Sequence, residues 1–91
     1  MNRKDVETQL KGIIKEKMNI ELEQLKLDYM TNSLLDPEIG LVPRDLLVIF
    51  FEMQILYGIE FDEKDVIEKR FDFFSNIVDS ICEKIGVENM G

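Results

Sequence analysis

Pro43-Arg44-Asp45-Leu46-Leu47-Val48-Ile49-Phe50-Phe51-Glu52-Met53-Gln54-Ile55-Leu56-Tyr57-Gly58 is the stretch whose reading decides the fold. Proline suits a first helical position, where its missing N–H has no intrahelical partner to lose, and glycine readily takes the left-handed conformation that ends a helix. Between Leu46 and Tyr57 only Glu52 and Gln54 are polar. A helix this apolar is expected to be covered on nearly every side, and a short chain has few elements to do the covering. One face, Leu46, Ile49, Phe50, Met53 and Tyr57, is sufficient for a core. The other carries the stripe Arg44, Val48, Phe51 and Ile55, with Leu47 adjacent, and has no obvious internal partner.

The rest of the chain reads as helical neighbours of this one. Upstream, Val6, Leu10, Ile13, Ile14 and Met18 recur at helical spacing. Gly12 within that run costs about 1 kcal/mol against alanine, which points to close approach of another element. From Lys26 to Val42 turn formers dominate, and Leu34, Leu35 and Ile39 are expected to plug this long loop onto the core. After Gly58, Asp62 is a candidate cap for a short third helix. Asp72 is the candidate cap for a last helix whose stripe is Phe74, Ile77, Val78, Ile81 and Ile85 and whose end is Gly86. The tail Val87 to Gly91 is expected to fray. The expectation is an all-α fold in a single domain, residues 1–91.

Composition narrows the function. Ninety-one residues make one small core. Eleven Lys plus Arg against nineteen Asp plus Glu leave a net charge of −8, which disfavours nucleic acid and anionic membrane as partners and favours a basic protein surface. With 45% hydrophobic residues the chain is too apolar for disorder, and no run approaches a transmembrane length. Cys82 is the only cysteine, so an internal disulfide is impossible, and it reads as a small core residue. The start Met1-Asn2-Arg3-Lys4 leads into an amphipathic helix rather than a secretory signal, so a cytoplasmic location is expected. The chain has no histidine, and clustered cysteines, a phosphate loop and zinc-ligand spacing are missing from it. Asp62, Glu63 and Asp65 read as a solvated helix start rather than a metal site. A non-enzyme without a metal centre is expected.

Several motifs, in order, resemble those of the acyl carrier protein family. Gly58-Ile59-Glu60-Phe61-Asp62-Glu63-Lys64-Asp65-Val66 is similar to the family's Gly-Ile-Glu-Ile-Pro-Asp-Glu-Asp-Ala after helix two. Phe71 to Ile81 is similar to its entry into helix four, and Ser33-Leu34-Leu35-Asp36 with Ile39-Gly40 to its Ser-Phe-Val-Glu-Asp-Leu-Gly loop. The resemblance implies a four-helix bundle with a long loop between helices one and two and a short third helix. It also implies a 4′-phosphopantetheine arm on the serine of an Asp-Ser-Leu motif opening helix two.

Here the chain departs from the family. The triplet at that place is Val42-Pro43-Arg44, so the position of the modified serine is Pro43, which has no hydroxyl from which a phosphodiester could be made. Asn32-Ser33-Leu34 copies the triplet superficially but lies ten residues before Pro43, and Pro37 obstructs a helix running on from it. Ser33 therefore reads first as a turn hydroxyl bonded to nearby backbone. The family presents carboxylates on the outer face of helix two to basic partner enzymes, whereas here the stripe is apolar.

Two functions follow. One is a carrier-like binding module with no cofactor, engaging protein partners such as biosynthetic or peptide-maturation enzymes through Arg44, Leu47, Val48, Phe51 and Ile55, with a homodimer as one form of that contact. The other is a working carrier holding 4′-phosphopantetheine on Ser33. A third, a pocket for a fatty chain, would use Leu46, Phe50, Phe74 and Ile81. Either the outer stripe is an interaction surface, or the long loop or the Gly58 to Phe71 segment folds over it.

Overall fold

The computed structural model describes residues 2–68 and 70–86, except for the side chains of residues 63, 65 and 67. The expected frayed tail and the side chains of Glu63 and Asp65 in the acidic cluster lie outside the described residues. The protein is all-α: helices α1 (Arg3–Met18), α2 (Pro43–Tyr57) and α4 (Phe74–Ile85), with a six-residue helix α3 (Glu63–Glu68) between the last two. A single 3-10 turn, Leu22–Gln24, follows α1.

α1 starts with a reciprocal cap. The Asn2 side chain accepts the Asp5 N–H, and the Asp5 carboxylate accepts the Asn2 N–H, each at 3.0 Å. The helix ends at Asn19, in the left-handed region at φ 59°, whose N–H donates to the Lys15 carbonyl. Its buried stripe Val6, Leu10 and Ile14 packs against both α2 and α4. Ion pairs fasten its rim, Arg3 to Asp79 on α4 and Lys17 to Glu52 on α2 at 3.6 Å. Gly12 faces open space: a Cβ added there would meet nothing within 4 Å. The expected close approach is not what this glycine serves.

α2 runs between the two residues that mark it in the sequence, Pro43 at its first position and Gly58 beyond its last at φ 63°. The residue before the helix is Val42, which has no polar side chain to cap with; Asp45 compensates in part by accepting the Val42 N–H at 3.2 Å. Leu46, Ile49, Phe50 and Met53 are buried, and Tyr57 is half-buried. The link to α3 is pinned by Gln54, whose side-chain oxygen accepts the Phe61 N–H at 2.8 Å and whose carbonyl accepts the Ile59 N–H at 3.1 Å. Phe50, Phe61 and Phe71 meet edge to face, with centroids 5.3 to 5.8 Å apart. Asp62 caps α3 as expected, its carboxylate accepting the Lys64 N–H at 3.1 Å.

The long loop is plugged by Leu34, Ile39 and Leu41, all buried, while Leu35 is only half-buried. Its middle is clasped to the start of α4. Ser33 and Phe73 form an isolated antiparallel bridge, and the Leu34 N–H donates to the Asp72 carbonyl at 2.6 Å. Asp72 does not cap α4, as the sequence led one to expect. The residue before that helix is Phe73, without a side-chain cap, because the Asp72 carboxylate is drawn the other way, to Ser33 and Arg70. α4 buries Phe74, Ile77, Val78, Ile81 and Cys82, with Tyr29 of the loop set edge-on against Phe74 at 5.0 Å.

Candidate functional site

The inner row of α2 fixes its orientation, and its outer row is then turned to solvent. Leu47 is 64% exposed, Phe51 62% and Ile55 66%, with Val48 at 38%. The long loop does not fold over them: its apolar plugs are inside the core and its middle is held at α4. Arg44 is exposed at the head of the stripe and makes no ion pair among the described residues. Five positions named from sequence, Arg44, Leu47, Val48, Phe51 and Ile55, thus share one open face about 16 Å long, counting 1.5 Å per residue.

Two further apolar residues at the ends of α2 are exposed outside the stripe: Val42, 51% exposed, and Leu56, 50% exposed. Val42 had a readable signal, an apolar residue at a cap position where a polar one is usual. A cleft of about 420 Å³ lies between α2 and the segment that follows it, lined by Leu47, Phe50, Phe51, Gln54, Phe61 and Val66. A second, shallower hollow of about 300 Å³ lies on the outer face itself, lined by Arg44, Leu47, Val48, Phe51 and Glu52. Phe61 and Val66 carry no local mark of this role in the sequence. Only the turn at Gly58 and the Gln54 clip bring them beside α2.

Ser33 sits elsewhere, in the clasp. Its hydroxyl donates to Asp72 Oδ2 at 2.7 Å and accepts the Leu35 N–H at 3.1 Å, in a partly buried setting. Burial works to raise the Asp72 carboxyl, but the hydrogen bonds from Arg70 and Ser33 outweigh it and hold the group below the usual aspartate range. Such a carboxylate is ionised at neutral pH, bonded to the serine and salt-bridged to Arg70 at 3.1 Å. Pro43, at the head of α2, presents a ring in place of a nucleophile. The side chains considered for a fatty-chain pocket, Leu46, Phe50, Phe74 and Ile81, are all buried in the common core.

Cys82 is fully buried, and burial pushes its thiol up, away from the reactive thiolate. Among the described residues there is no group of three His, Cys, Asp or Glu side chains placed to hold a metal ion. Among them, too, no helix is long and apolar enough to cross a membrane. What the outer face of α2 offers chemically is burial of apolar surface, with Arg44 and Glu52 at its edge. No protein-family model, curated protein or solved structure matches this chain.

Proposed function

We propose that the chain is an acyl-carrier-like four-helix bundle that acts in the cytoplasm as a non-catalytic binding module, engaging enzymes of a biosynthetic or peptide-maturation system without a phosphopantetheine arm. The observation that carries this reading is the open face of α2, where Leu47, Val48, Phe51 and Ile55 stand in solvent behind a first helical residue that is proline. An uncovered apolar patch of this size is characteristic of an interaction surface, and a proline at that place leaves nothing to esterify. The working-carrier alternative requires the Ser33 hydroxyl as a nucleophile. That hydroxyl already bridges Asp72 and the Leu35 amide.

The test combines two measurements. Incubation with coenzyme A and a broad-specificity phosphopantetheinyl transferase is expected to leave the intact mass unchanged. An adduct mapped to Ser33 would overturn the proposal in favour of a carrier. Retention of a partner enzyme by the wild-type chain, and its loss in Phe51→Ala, is the expected binding result. Equal retention by both chains would remove α2 as the binding face.

A further inference from the structure

We infer that the outer face of α2 is self-complementary and pairs, antiparallel, with the same face of a second copy. The inference rests on the reading of this face as a binding surface and names its occupant in the free protein.

The shape argument comes from the shallow hollow. Arg44, Leu47, Val48 and Phe51 stand at positions i, i+3, i+4 and i+7 of one helix, the four corners of a hole that accepts a knob from a facing helix. The best knob on the molecule is Phe51, 62% exposed on the same face. Placing Val48 opposite Phe51 of the second copy seats each Phe51 in the other's hole. The same register sets Arg44 opposite Ile55 and overlaps the two helices along nearly their whole length. An interface in which each copy supplies both knob and hole closes on itself as a two-fold dimer.

Charge chooses the direction. A parallel pair would stack Arg44 on Arg44. The antiparallel pair instead carries each Arg44 to the last turn of the other α2, where carbonyls face outward and the helix has no basic residue of its own. Glu52, half-exposed and paired with Lys17 at 3.6 Å, lies one turn from that point. The net charge of −8 on each copy opposes association in general. The hollow is edged by charges of opposite sign, Arg44 and Glu52, and Glu52 is already paired with Lys17, so the repulsion is spread over the rest of the surface.

Area sets the strength. Leu47, Val48, Phe51 and Ile55 together expose roughly 450 Å², a little over half of the about 800 Å² per partner in a standard interface. That is enough for a reversible dimer and too little for an obligate one.

Sedimentation of the full chain tests this from low concentration up to about 200 µM. The expected result is a mass rising from one to two copies of the 10.7 kDa chain. Phe51→Glu should stay monomeric throughout, with an unchanged helical spectrum since the side chain is exposed. Arg44→Glu should weaken association roughly tenfold. A wild-type chain that is monomeric at the top of the range overturns the inference, as does association untouched by Phe51→Glu. Orientation is read with Ile55→Cys: in the antiparallel pair the two introduced thiols lie about 16 Å apart along the helix axes and cannot bridge. Rapid disulfide formation by that variant would refute the antiparallel arrangement. A monomeric chain that takes no prosthetic group would sink the dimer and leave the binding-module reading standing. A dimer modified on Ser33 would do the reverse.

Discussion

Replacing Ser33 by alanine removes one oxygen that serves two partners. It donates to Asp72 Oδ2 at 2.7 Å and accepts the Leu35 N–H at 3.1 Å. A hydrogen bond to a charged group contributes about 1.5–3 kcal/mol. Asp72 keeps two bonds from Arg70, at 3.1 and 3.2 Å, so its loss is partial and the low end applies. The half-buried Leu35 amide loses its acceptor as well. A destabilisation of about 2 kcal/mol follows, roughly a 10 °C fall in Tm for a domain of this size. Ser33→Thr, which keeps the hydroxyl, should recover most of it.

The pH dependence has a definite sign. The folded Asp72 carboxyl lies below its unfolded value, so its contribution is complete above about pH 4, the unfolded range, and is lost as pH falls through the lower folded value. The gap between wild type and Ser33→Ala should therefore be constant near neutrality and narrow only in acid. Urea denaturation followed by circular dichroism at several pH values reads both effects. A gap under about 0.5 kcal/mol at neutral pH, or one that widens on acidification, would refute the clasp as described.

Three other substitutions probe the helices. Gly12→Ala fills open space in the middle of α1 and should stabilise the protein by about 1 kcal/mol in urea melts; destabilisation would mean that something does approach there. Phe50→Ala deletes a buried ring from the Phe61 and Phe71 cluster and should cost about 3–5 kcal/mol, whereas its neighbour Phe51→Ala should cost under about 1 kcal/mol; similar losses would mean that the two faces of α2 have been assigned wrongly. Rebuilding the carrier triplet with Val42→Asp, Pro43→Ser and Arg44→Leu should make the chain a substrate for a phosphopantetheinyl transferase, read as an adduct in the intact mass. Failure of the folded triple variant to react would count against the carrier resemblance.

The legible parts of the fold were those written in local chemistry. Pro43 and Gly58 bound α2 because fixed φ at one end and free φ at the other are properties of single residues. The split of α2 into an inner and an outer row followed from helical period alone, and the exposures agree with it except at Tyr57, which is only half-buried. Asp72 shows where such reasoning stops. As a local signal it is a helix cap, but Ser33, 39 residues away, and Arg70 compete for its carboxylate and prevail. Gly12 misled in the same way, since a glycine in a helix records a tolerated cost as readily as a close contact. Phe61 and Val66 were invisible as cleft residues because their place beside α2 depends on the Gln54 clip.

That clip has a consequence for how the cleft behaves. α3 is six residues long, far below the length at which a helix persists by itself, so it is held by the Phe61 ring against Phe50 and Phe71 and by the bonds to Gln54. One wall of the cleft is a long helix anchored in the core, and the other is a short unit joined to it through Phe61, Val66 and Gln54. Amides of Ile49 and Met53 should exchange with solvent only on global unfolding, while those of Lys64 and Val66 exchange through a smaller, cheaper opening. An occupant reaching between Phe51 and Phe61 thus meets a surface whose width is set by a local equilibrium, and widening it leaves α1, α2 and α4 packed as they are.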